Sequence, residues 1–235
     1  MQNHYVSQRS AKRPMTTGNV SPFRTLSTRQ TRLILMPILL IPSEILVFSV
    51  SMDLFGRAIG YLVGFLSYWI VWCGLFPVLM IGKAEVAGLF RKSEPQFGNP
   101  TWLGIVLVSL PAVSSFVFNP FFMQIQEASL TVLIISILFA VANATSEEIL
   151  WRGVYAHEFQ ESRVYGFVLP SIGFGFWHLA PQIVFPSSNP VLFSLFAISL
   201  GLPFGYVAFK TKSIRWLVLS HIILDFSGLA GFKFI

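Results

Sequence analysis

Ser129 to Arg152 reads SLTVLIISILFAVANATSEEILWR. Residues 129–146 are apolar enough to leave water, and the stretch then turns abruptly into Glu147, Glu148 and Arg152. Crossing a bilayer core takes about 20 mainly apolar residues as a helix. A membrane β-strand would alternate apolar and polar positions, and this run is apolar on every face, so it reads as a helix.

Six further runs have the same character: 33–52 (interrupted by Glu44), 59–82, 102–122, 164–185 (holding His178), 191–209, and 216–232 (holding His221 and Asp225). The expected fold is therefore all-α. It is a polytopic membrane bundle of about seven transmembrane helices (eight possible), forming one domain over residues 33–235. Composition agrees, with 54% apolar and only 11% charged residues. Soluble domains carry about 25% charged residues. So few charges do not cover a water-facing surface.

The net charge of +6 does not point to nucleic acid, because of where the charge lies. Arg9, Lys12, Arg13, Arg24, Arg29 and Arg32 precede the first run with no acid among them. With the N-terminus in the cytoplasm and sides alternating, every Lys and Arg except Arg57 and Lys233 falls inside. That is the positive-inside asymmetry. Residues 1–32 read as a basic, disordered cytoplasmic tail, with an organelle transit peptide as the alternative. The lone Cys73 sits in an apolar run and reads as packing. Short loops and a basic tail fit a bacterial inner membrane, and an organelle membrane stays open.

Ionisable groups inside a membrane face the bundle interior and carry function more often than not. Three groups recur at helical spacing. Glu148 and Arg152 are i, i+4 neighbours that pair. Glu147 points about 140° away from Arg152 and stays free on another face. Phe174 and His178 share a face, flanked by Gly173 and Gly175, small residues that permit close helix approach. His221 and Asp225 share a face, where a carboxylate fixes the imidazole tautomer. Each also has a plain structural reading: a surface charge cluster, a core histidine, a helix-locking polar pair. Glu44 has no patterned partner and reads as packing or interfacial. His157-Glu158 opens like a zinc motif, but Glu161 stands where the second histidine belongs, so the motif fails.

Taken in order, Glu147-Glu148-x-x-x-Arg152, Phe174-x-x-x-His178 and His221-x-x-x-Asp225 resemble the three motifs of the CPBP family, the CAAX proteases and bacteriocin-processing enzymes also called Abi. The resemblance covers about residues 130–230. It implies an intramembrane endopeptidase acting on a membrane protein or a lipidated peptide in the membrane lipid, with no nucleic-acid partner. By resemblance, Glu147 activates water with the help of His178, His221 and Asp225 assist at the oxyanion, Glu148 and Arg152 support, and Phe174 packs beside the site. If the enzyme is metal-dependent, Glu147, His178 and His221 are the candidate ligands of a divalent ion such as zinc; a metal-free glutamate mechanism is the other option. The family's last motif often ends in Asn. An ionised Asp225 accepts hydrogen bonds and does not donate them, which suits orienting His221 or binding a metal better than touching an oxyanion. Two other readings stand beside this one: a non-catalytic immunity or scaffold protein with the same fold, and a small transporter relaying protons.

Overall fold

The structure, a computed structural model, describes residues 26–118 and 120–235. Most of the expected N-terminal tail, residues 1–25, lies outside the described residues. Its expected end at residue 32 moves: helix α1 (Thr28–Phe55) begins earlier, because Ser27 and Gln30 form a reciprocal capping box. Pro37 and Pro42 sit inside α1 without ending it.

Gly56, at φ 79°, turns the chain into α2 (Arg57–Ile81). Gly60 and Gly64 are what let α2 lie against α1. A Cβ on Gly60 would strike the Met52 backbone, and one on Gly64 would strike the Phe48 ring. This is small-residue packing of the membrane type. A short helix α3 (Lys83–Gly88) leads to a loop, then α4 (Thr101–Phe118) and α5 (Phe121–Glu127), which meet at a bend of 61°. Helix α6 (Leu130–Glu158) is continuous. Then come α7 (residues 164–177), α8 (Pro190–Thr211) and α9 (Arg215–Ser227), with 3-10 turns at Pro181–Ile183 and Ala230–Lys233. No strand occurs among the described residues. In the bundle α1 packs on α2, α8 on α7, and α9 on both α6 and α4. Outward-facing residues such as Ile38, Leu39, Leu79, Val117, Leu138 and Leu192 form an exposed apolar belt. In water such a belt would be a liability; in lipid it is the solvated surface.

The seven apolar runs all fold mainly as helix, but they are not seven full spans. Four helices are long and apolar enough to cross a membrane (α1, α2, α6 and α8), or five if bent α4–α5 counts as one. The fifth and seventh runs fall short. Helix α7 is about 21 Å long and α9 about 20 Å, at 1.5 Å per residue, against a core of about 30 Å. Run 164–185 stops early because His178, Leu179 and Ala180 close tight turns on Gly175, Phe176 and Trp177, and Pro181 follows. Run 216–232 stops where Leu229 takes a left-handed φ of 43°.

The fourth run differs the other way. The spacing places Glu147 at the membrane end of its helix; instead α6 continues for three more turns. Glu147, Glu148 and Arg152 are all 1% exposed or less. Their charges are met by protein groups, so nothing forces the helix out into water there. Residues Glu148–Val154 are wound as a π-helix, a local widening frequent at functional sites.

Candidate active site

Continuation of α6 puts Glu147 about 16 Å from that helix's C-terminal end, and His178 lies about 21 Å from the start of α7, at 1.5 Å per residue. The two helices run back to back through a short turn, so both side chains reach a similar depth. Helix α9 is anchored at its start from outside the bundle's middle. Ile214 N–H donates to Leu89 O (2.9 Å), Ser213 Oγ to Arg91 O (2.7 Å) and Lys212 Nζ to Ala156 O (3.1 Å). Lys212 itself sits at φ 55°. From that anchor, His221 lies just under two turns into α9.

Glu147, Glu148, Arg152, His221 and Asp225 form one contiguous array. Glu148 Oε1 lies 3.0 Å from Arg152 NH1 as an ion pair and 2.8 Å from His221 Nδ1. The i, i+4 pair expected from spacing is therefore present and is shared with a histidine. The other ring nitrogen, His221 Nε2, lies 3.4 Å from Asp225 Oδ1 and 3.6 Å from Glu147 Oε2. Both ring nitrogens thus face carboxylate oxygens, with the Nδ1–Glu148 contact of hydrogen-bond length and the two Nε2 contacts longer. The Arg152 guanidinium also lies 3.9 Å from the centre of the Phe174 ring, a cation–π contact.

His178 joins this array through the cavity beside it. Its Nδ1 lies 2.7 Å from Phe174 O. A carbonyl only accepts, so Nδ1 carries the hydrogen and the neutral ring keeps Nε2 as an acceptor. Its ring stands edge-on to Phe174 at 4.5 Å. No hydrogen bond or ion pair joins His178 to Glu147 among the described residues. The link runs through a cavity of 460 Å³ bordered by His178, His221, Asp225, Arg152, Phe174 and Asn143, of which His221 and Asn143 in turn contact Glu147.

Sequence reasoning missed Asn143 and Trp177. Asn143 Nδ2 donates to Glu147 Oε2 (3.2 Å) and to Asp225 Oδ2 (2.9 Å), bridging two carboxylates, while its Oδ1 accepts from Trp69 Nε1 (3.0 Å). Trp177 Nε1 donates to Glu147 Oε1 at 2.8 Å, and its ring stacks on Tyr68 at 3.6 Å. A signal existed for Asn143: an amide one helical turn before Glu147 in an otherwise apolar run. Gly173 and Gly175 behave as small-residue contacts, meeting Trp151 with Pro37 and the Ser194–Ile198 segment respectively. Glu44 is buried and accepts from Ser67 Oγ (3.0 Å), so it is a packing group and not an interfacial one. Cys73 is buried, as its apolar run suggests.

The donor set does not fit a metal as arranged. Both oxygens of Glu147 accept from Asn143 and Trp177 and both nitrogens of His221 face carboxylates, which leaves only Nε2 of His178 open. Among the described residues no three His, Cys, Asp or Glu side chains converge as metal ligands would.

Long apolar helices around a buried cluster of carboxylate, histidine and arginine side chains mark an integral membrane protein. Comparison with protein families is specific: residues 128–227 match the family described as type II CAAX prenyl endopeptidase Rce1-like. The chain therefore carries an Rce1-like domain of the CPBP family over that stretch, the one the three motifs mark. No curated protein and no solved structure shows a significant match to it.

Proposed function

We propose that this protein is an intramembrane endopeptidase that hydrolyses peptide bonds of membrane-associated substrates, of the CAAX or leader-processing kind. Glu147 and His178 activate a water, and His221 with Asp225 assists. The observation that carries this reading is the buried array of Glu147, Glu148, His221 and Asp225, whose His221 and Asp225 border the cavity that His178 also lines.

Amide hydrolysis needs a base for water and a donor for the developing oxyanion. Glu147 is the base. Trp177 and Asn143 orient its carboxylate. His178, with Nδ1–H committed to Phe174 O, offers Nε2 to the same water. The water oxygen bonds to the carbonyl carbon as its proton passes to Glu147. The C–N bond then breaks, that proton goes to the leaving nitrogen, and a carboxylic acid and an amine result, the acid's proton then passing to the amine. His221, held through Nδ1 by Glu148, borders the cavity and turns its Nε2–H from Asp225, 3.4 Å away, to the developing oxyanion. Asp225 orients His221 and Asn143; it is not itself a donor. Glu148 and Arg152 hold His221 in place through their pair.

The test is cleavage of a membrane-peptide library by purified protein in detergent, beside Glu147→Ala and His178→Ala. Cleavage by wild type and loss in both variants is expected. Cleavage that survives Glu147→Ala refutes the assignment of the base.

A further inference from the structure

Glu147 is held by two donors, and each donor is in turn held from α2. Trp177 Nε1 serves Glu147 Oε1, and Asn143 Nδ2 serves Oε2. Behind them stand two consecutive residues, Tyr68 and Trp69. The Tyr68 ring stacks on Trp177 at 3.6 Å, with the planes 18° apart. Trp69 Nε1 donates to Asn143 Oδ1 at 3.0 Å. Both open the π-helical stretch Tyr68–Leu75 of α2, a winding frequent at functional sites. That stretch packs against the second one, Glu148–Val154 of α6.

Each contact removes a freedom that the carboxylate's donor would otherwise have. An indole N–H lies in the plane of its ring, so a phenol stacked on that ring fixes where the N–H points. Tyr68 is itself fully buried and latched. Its Oη accepts from Trp151 Nε1 at 2.6 Å, and Trp151 lies one turn beyond Glu147 on α6. A side-chain amide can turn end for end, and only one orientation presents Nδ2 of Asn143 to Glu147 and Asp225. The indole of Trp69 is a donor only, so it admits the amide oxygen and rejects the amide nitrogen. Neither Tyr68 nor Trp69 is among the residues that border the cavity. Their influence therefore falls on the base and not on substrate binding.

We propose that Tyr68 and Trp69 are positioning residues for Glu147, acting through Trp177 and Asn143. A helix outside the family-matched stretch 128–227 then sets the orientation of the base. This rests on the protease reading.

The test measures kcat and KM on the best substrate of the peptide library, for wild type, Trp69→Phe, Tyr68→Phe, Tyr68→Leu and Trp72→Phe. Trp72 lies on the same π-helical stretch, but its indole N–H serves Glu44. Trp72→Phe thus removes the same kind of group from the same stretch and should leave both constants unchanged. Trp69→Phe should lower kcat about 3–10-fold, the worth of one neutral hydrogen bond, with KM unchanged. Tyr68→Leu should lower kcat at least as much, and Tyr68→Phe, which keeps the stack, should lower it less. In an Asn143→Leu background Trp69→Phe should cost nothing more, since its route to Glu147 is gone.

A Trp69→Phe protein with wild-type kcat, a loss matched by Trp72→Phe, or a full loss repeated in the Asn143→Leu background overturns the proposal. A second readout needs no cleavage. The Trp177 indole N–H resonance is identified among six tryptophans by its absence in Trp177→Phe. It should shift in Glu147→Gln and in Tyr68→Leu and stay in place in Trp72→Phe. That pattern in a protein that cleaves nothing keeps the positioning pair and sinks the protease reading. A resonance indifferent to Tyr68→Leu overturns the proposal whether or not the protein cleaves.

Discussion

Arg152→Met tests the reasoning about the buried array most directly. Arg152 is 1% exposed and Glu148 is fully buried. Their pair at 3.0 Å is therefore not a surface ion pair of negligible worth. Removing one partner of a buried pair costs about 3–5 kcal/mol, because the other charge is left without compensation. Glu148 retains His221 Nδ1 at 2.8 Å, which pulls the expectation to the low end, about 3 kcal/mol. Loss of the guanidinium from the Phe174 ring at 3.9 Å adds about 1 kcal/mol. For a chain of this size each kcal/mol moves the midpoint by about 2–4 °C, so a fall of about 8–16 °C is expected. The assay is thermal unfolding in detergent, followed by intrinsic tryptophan fluorescence. The double variant Glu148→Gln/Arg152→Met removes both charges and should lose less than the two single changes summed. A midpoint for Arg152→Met within about 2 °C of wild type, below the shift from even 1 kcal/mol, refutes the argument that this pair holds the array together.

Three further outcomes are expected. Asn143→Leu leaves Glu147 and Asp225 without their shared donor and Trp69 without its acceptor. It should cost about 1–3 kcal/mol and lower kcat more than it raises KM; unchanged kinetics would show that Asn143 does not orient the base. Gly64→Val drives a side chain into the Phe48 ring where α1 meets α2, at about 1–3 kcal/mol, read as a lower thermal midpoint with the site residues untouched; an unshifted midpoint would place that helix contact elsewhere. Because Glu147 and His221 are already engaged with protein groups, dialysis against a chelator should leave cleavage intact. Loss of cleavage that zinc restores would mean the site rearranges into a metal centre.

Membrane residence and helix class were legible in the sequence, because partition into lipid depends on composition summed along a run, and each run carries its own sum. The Glu148–Arg152 pair was legible too, since one turn of helix brings i and i+4 together wherever the helix sits. The three motifs lie within residues 128–227, the stretch that matches the Rce1-like family. Seven apolar runs did not become seven spans, because length in sequence does not say where a turn will be tied off. The closures after Trp177 and at Leu229 are set by backbone hydrogen bonds and a left-handed residue.

The depth of Glu147 could not be read locally either. A carboxylate ends a membrane helix when it must reach water, and it does not when neighbouring helices satisfy it. Asn143 precedes it by one turn and was available to a reader of the sequence; Trp177 and His221 come from other helices. Lys233 reads in the sequence as an edge cation after the last run. Only the fold places it against Tyr61 in the cavity of the candidate site. The division has one physical cause. Propensity and hydrophobicity act through neighbours along the chain, whereas a buried charge is decided by partners that only packing brings within reach.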